Sequence, residues 1–277
     1  MKDELKSSSI ISAGIQRDGI PTIVKPRFES VSSADQYLHN EGYGILIRDQ
    51  SNARFYPFQI LVWHESVNDV FDGKPVLIHY CPLCFSGRVF ERTINGEILE
   101  FGTSEYIQEN NVLLYDNISN SLWNTSLEKS VDGPKKETML KKIPSVVVQW
   151  DDFKKNFSNG QVLSRNTGFV RDYTHVPYGD YRTNNTIYFP LSLPDGRIKA
   201  KEMVLGVLVD SQFKAYKQTD IERAKKITDF IGQTSITIEW NEDLNIPVST
   251  SQNVKTIQTF WFDWVNSHPQ TSVYQPE

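Results

Sequence analysis

The chain has 277 residues, 39% hydrophobic, 12% aromatic and 23% charged, and a net charge of −5. Such a profile fits one large globular domain or two modest ones; its charge offers no basic surface for nucleic acid or an anionic membrane. No apolar run approaches the roughly 20 residues that cross a bilayer as a helix, and two cysteines cannot build a disulfide framework.

Residues 1–42 read as an extension packed on the body. Their start, MKDELKSSSIISAG, has no apolar core of signal-peptide length, so the chain is expected to be cytoplasmic or already trimmed of an export signal. The segments 43–48 (YGILIR) and 76–80 (VLIHY) are short runs of β-branched and aromatic residues bounded by Gly, Pro and Asp, which predicts strands. Between them, Ile60, Trp63 and Val67 fall at helical spacing, predicting a short helix within 57–70 with His64 and Asn68 on one face. Both cysteines, Cys81 and Cys84, follow VLIHY in HYCPLCFSGRVF, on a loop between two strands. Segments 87–93 and 98–101 read as a hairpin with Asn95-Gly96 as a type I′ turn. Segment 112–115 is a further strand, and 116–123 is an Asn- and Ser-rich turn leading to a buried Trp123. Segment 150–157 (WDDFKKNF) is a helix with three aromatics on one face.

The second half repeats this order. Leu205-Gly206-Val207-Leu208-Val209 before Lys214-Ala215-Tyr216 echoes Tyr43-Gly44-Ile45-Leu46-Ile47 before Arg54-Phe55-Tyr56, and Trp261, Trp264 and Val273 keep the spacing of Trp150, Phe153 and Val162. The expected organisation is an internal duplication: a first repeat over 43–164, a connector over 165–203, and a shorter second repeat over 204–277 without a CxxC. The connector, with RNTGFVRDYTHVPYGDY, is too aromatic for a flexible linker. It is expected to be ordered and to line a cleft.

Two thiols in CxxC spacing can form a reducible pair, clip a soft cation, or simply be buried. Strands on both sides of the loop disfavour a thioredoxin-like arrangement, in which the motif opens a helix. Two thiolates with one imidazole suit Cu(I); zinc is less expected, because no second CxxC or HxxxH completes a tetrahedral set. His64 is the candidate third ligand, and His79 is expected to be a satisfied structural histidine. Arg171, Asp172 and Tyr173 form the candidate catalytic group, able to hold a substrate carboxylate or position a tyrosine; a local ion pair is the bland alternative. No G-x-S-x-G, P-loop, G-x-G-x-x-G or H-E-x-x-H occurs.

Several motifs together carry a resemblance: IISAGIQRDGIPTI, FYPFQILVWHESVNDVFDGKPVLIHYCPLC, SLW, VLSRNTGFVRDY, PYGDY, KEMVLGV and FWFDWVNSHPQTSVY. From about residue 10 to its C-terminus the chain resembles the bacterial and archaeal family DUF3179, a domain of unknown function. Many members carry export or lipoprotein signals, absent here, and the second copy is shorter than usual. The resemblance implies no particular reaction. The expectation is therefore an α+β protein, predominantly antiparallel β, of two related halves with short helices packed on the strands. Copper is expected at Cys81, Cys84 and His64, serving oxidation of a small molecule or peptide, or copper handling. A metal-free thiol oxidoreductase and a non-enzymatic interaction module are the alternatives. Neither nucleic acid nor membrane is expected as a partner.

Overall fold

The computed structural model describes residues 9–276, so the first eight residues of the expected extension lie outside the description. The protein is mostly antiparallel sheet with a few short helices. One sheet runs in the order Val146–Gln149, Tyr43–Arg48, Ala53–Pro57, Gln161–Leu163 and Phe28–Ser30. A second is ordered Lys142–Ile143, Ser86–Glu91, Lys74–Cys81, Ser66–Phe71 and Ile23–Val24. Ile45, Tyr56, Val67, Ile78 and Val89 from these two sheets share one buried cluster. A third sheet, Ile11–Ser12, Phe101–Gln108, Asn111–Asp116, Leu122–Asn124 and Lys129–Asp132, comes mostly from the segment inserted before Val146.

A hairpin does turn at Asn95-Gly96, with both residues at positive φ (52° and 83°), but it joins only Thr93–Ile94 to Glu97–Ile98. The expected arms 87–93 and 98–101 pair elsewhere, Ser86–Glu91 with Lys74–Cys81 and Phe101–Gln108 with Asn111–Asp116. Trp123 is fully buried and its indole N–H donates to Asp116 at 2.9 Å. Helix Trp150–Asn156 buries Trp150 and Phe153.

The helix predicted within 57–70 is corrected. It spans only Phe58–Leu61, and Ser66–Phe71 is a strand paired along its length with Lys74–Cys81. Glu65, at φ 54°, turns the chain between them. Ile60 and Val67 are both buried, but on different elements, so their spacing mimicked a helix without forming one. Asn68 consequently shares no helix face with His64; its side chain bonds the backbone N–H and C=O of Phe101.

Residues 203–273 run through the same order of elements. Met203–Val209 and Gln212–Lys217 form a hairpin, helix Gln218–Ala224 follows, and Lys226–Ile231, Thr234–Asn241 and Ile246–Ser249 make a second sheet. Lys255–Phe260 then pairs with Met203–Val209 and leads into helix Trp261–Ser267 and strand Ser272–Val273. Tyr56 pairs with Ile45, and Tyr216 with Leu205. The sequence echo is thus offset by two positions in the leading strand: Ile45, not Tyr43, corresponds to Leu205. Matched in this way, neither half carries extra residues between leading strand and tyrosine: the Asp49 N–H donates to the Asn52 carbonyl, so the first hairpin turns at Gln50-Ser51 and the second at Asp210-Ser211. The Tyr56 hydroxyl donates to Asp69 at 2.5 Å beside Arg54; the Tyr216 hydroxyl donates to Asp229 at 2.7 Å beside Lys214.

The two halves are joined by a buried ion pair. Arg88, on the strand after the cysteines, meets Asp263 of helix Trp261–Ser267 at 2.8 Å, with side chains only 3% and 2% exposed. Arg88 also donates to Ser86, and the Ser126 hydroxyl donates to Asp263 at 2.6 Å. Removing one partner leaves an uncompensated buried charge. Arg88→Met is expected to lower unfolding free energy by about 3–5 kcal/mol, measured by urea denaturation. Arg54→Met should cost less than Arg88→Met, because Arg54 is 19% exposed and part of its pair with Asp69 reaches solvent.

Candidate functional site

Cys81 ends its strand opposite Ser86, and Phe85, at φ 49°, returns the chain after Cys84. The turn folds the Cys84 N–H onto Cys81 Sγ at 3.2 Å, and both Sγ atoms lie 3.6 Å from the Asn110 carbonyl oxygen. Asn110 is itself fixed by two hydrogen bonds between its side-chain amide and the Phe189 backbone. Both thiols are free and buried. Burial, then the contact with Cys81, pushes the Cys84 thiol well up, which keeps it protonated. At the corresponding turn of the second half, Asn241 and Leu244 stand where the cysteines do, before Asn245 at φ 53°. The turn therefore forms without thiols.

The connector has almost no regular structure, yet three of its tyrosines each meet one feature of the first half. Tyr173 reaches His64, Tyr178 reaches Glu65, and Tyr181 packs with Cys81 and Cys84. His64 Nδ1 lies 2.7 Å from the Pro21 carbonyl, which can only accept, so Nδ1 carries the proton and Nε2 accepts from the Tyr173 hydroxyl at 2.8 Å. Thr167 then donates to the Tyr173 oxygen at 2.6 Å. Burial lowers the His64 pKa, keeping the ring neutral. Tyr178 donates to Glu65 Oε1 at 2.7 Å; desolvation pushes the carboxyl of Glu65 up to about 7, against the lowering effect of that bond. The Tyr181 hydroxyl is buried and has no partner among the described residues.

These placements change the roles expected from the sequence. Among the described residues no three His, Cys, Asp or Glu side chains come together as a metal site, and both ring nitrogens of His64 are engaged away from the thiols. Arg171 is exposed and donates to the Val170 carbonyl, whereas the Asp172 carboxylate accepts from the Thr174 N–H and hydroxyl. They form no mutual ion pair, so of that trio only Tyr173 enters the network. His79 is buried as expected, but neither ring nitrogen has a partner among the described residues, and burial drives its pKa down to about 3. Glu65, Tyr178 and Tyr181 were not singled out as site residues by sequence; the usable signals were Glu65's place beside His64 and the tyrosine density of PYGDY.

Between connector and first half lies a cavity of about 370 Å³, lined by Tyr43, Phe58, Phe85, Tyr173, Tyr178 and Arg182 among others. Pro82 also lines it, bringing the cysteine turn to its wall. Its volume is that of a small-molecule pocket.

Fold and site thus define a β-rich protein with a dithiol turn beside an aromatic cleft. The family model described as "Protein of unknown function (DUF3179)" matches residues 17–258, and the chain belongs to that family. No curated protein and no solved structure matches it. No described helix is long and apolar enough to cross a membrane.

The raised Glu65 carboxyl has a definite pH consequence. The unfolded chain loses this proton near pH 4.5 and the folded chain near 7, so the stability it contributes is present below about 4.5 and lost as pH rises toward 7. Glu65→Gln should gain on the wild type by roughly 3 kcal/mol across that window and level off above it, measured by denaturation at successive pH values. A constant difference between the two proteins would show that Glu65 titrates normally.

Proposed function

We propose that the protein binds one Cu(I) ion between Cys81 and Cys84, at the wall of the tyrosine-lined cleft. The observation that carries this reading is the convergence of both sulfurs on the Asn110 carbonyl within a turn whose counterpart keeps its shape without them. Two thiolates suffice for Cu(I), a soft ion tolerant of low coordination number, whereas structural zinc takes four ligands. The Tyr181 hydroxyl in the same cluster is a buried polar atom without a partner among the described residues. The adjoining cavity favours use of the ion on a small molecule or peptide held there over simple carriage. Copper is the cofactor of this reading, and Tyr173 and Tyr178 are its cleft-side proton-handling groups. Two free thiols suit a reducing compartment, which makes a cytoplasmic location part of the proposal.

The two halves also derive, in this reading, from an internal duplication in which one copy kept the dithiol turn. Support comes from the shared order of elements and from the paired Tyr56–Asp69 and Tyr216–Asp229 bonds.

Anaerobic Cu(I) titration of untagged, reduced protein against a competing chelator tests the metal. One equivalent should bind and protect both thiols from alkylation. Cys81→Ser and Cys84→Ser should each weaken binding by more than the roughly 10–100-fold typical of losing a supporting partner. Affinity should fall as pH drops, because protons compete for thiolates. Two thiols that remain fully reactive in excess Cu(I) would overturn the reading, and reversible disulfide formation in that case would favour a dithiol oxidoreductase.

A further inference from the structure

The cleft contains one cation that no described residue neutralises. Arg182 follows Tyr181, and its guanidinium carbon lies 4.3 Å from the Phe85 ring centroid and 4.6 Å from that of Tyr43. Those two rings meet edge to face at 81°, with centroids 5.3 Å apart, so the guanidinium covers the notch between them. No hydrogen bond or ion pair joins it to any described residue, although Glu41 and Asp180 line the same cavity. Asp180 is instead bonded by Asn184. Contact with two ring faces restrains the guanidinium, and with no described acceptor on its N–H groups they are available to a planar anion.

From this we infer that the cleft binds a small carboxylate with an aromatic body, its carboxylate gripped by Arg182. The guanidinium fork matches a carboxylate with two parallel N–H···O bonds. Glu41 and Asp180 at the lining disfavour a dianion such as a phosphate monoester more than a monoanion. Beyond Arg182 the wall is aromatic: Phe58 and Tyr80 stack at 3.7 Å, with Tyr173 and Tyr178 on the connector side. Phe85 adjoins Cys84 and Arg182 adjoins Tyr181, so a carboxylate held at this point brings its body alongside the dithiol turn. The inference rests on reading the cleft as the substrate site, yet it does not need the metal.

The test uses metal-free, reduced protein and calorimetric titration with 3-phenylpropionate, its primary amide and phenyl phosphate. The acid should bind at least about 10-fold more tightly than either analogue, as expected of a charge-assisted, two-point contact. Arg182→Gln should remove that preference. Arg182→Lys should not restore it, because an ammonium lacks the fork. Arg182 is exposed, so both variants should melt with the wild type. Equal affinity for acid and amide, an unaltered Arg182→Gln, or no binding of the acid at millimolar concentration would each overturn the inference. Cu(I) titration of Arg182→Gln separates the two proposals: intact Cu(I) binding with lost acid binding supports the carboxylate site. Lost Cu(I) binding in the wild type, with acid binding kept, would sink only the metal.

Discussion

The Arg88–Asp263 pair holds the cysteine turn in place. A buried ion pair is tolerable only when its remaining donors and acceptors are satisfied, and here Ser86, Ser126 and Thr259 do so. Burial alone would raise the Asp263 pKa, but Arg88 and the Ser126 and Thr259 hydroxyls outweigh it and keep the carboxylate ionised. Just before that helix, the Phe260 N–H donates to the Cys84 carbonyl at 3.0 Å, and the Thr259 hydroxyl lies 3.1 Å from the same oxygen. The second half thus supports the first half's turn through backbone as well as charge. It does so without thiols of its own.

Corresponding positions divide scaffold from chemistry. Glu65 and Lys225 both sit at positive φ, and each carbonyl accepts from the backbone N–H of the facing strand, Tyr80 or Trp240. The left-handed conformation is therefore a requirement of the fold and not strain reserved for a site. What differs is the side chain: a carboxyl buried under Tyr178 in one half, an exposed lysine paired with Glu242 in the other. Ala224 likewise stands where His64 does. The halves run through the same order of elements, and in the first of them His64 and Glu65 are the ionisable groups bonded to connector tyrosines.

That connector converts separate motifs into a cleft. A stretch without repeating backbone hydrogen bonds must be held by its side chains, and its tyrosines do so while presenting their rings to the cavity. The Tyr173 and Tyr178 hydroxyls end on an imidazole and a carboxyl, and the Tyr181 side chain packs against the dithiol, groups far apart in sequence from the tyrosines that meet them.

The sequence by itself determined the strands, the Asn95-Gly96 turn, the buried Trp123 and the repeated order of elements, because β-branched runs, turn residues and paired aromatics act locally. It also marked Cys81, Cys84, His64 and Tyr173 as chemically notable. It misjudged segment 57–70, where apolar residues on a helix, a turn and a strand happened to fall at helical spacing. Only the tertiary structure decided which groups meet. His64 went to Tyr173 and Pro21 instead of the thiols, because the chain reverses at Glu65 and a carbonyl captures Nδ1. Arg171 and Asp172 separated, since each found a local backbone partner. Glu65, Tyr181 and Arg182 gained their significance from desolvation and stacking. Those are properties of an environment assembled from distant segments, and no local pattern encodes them.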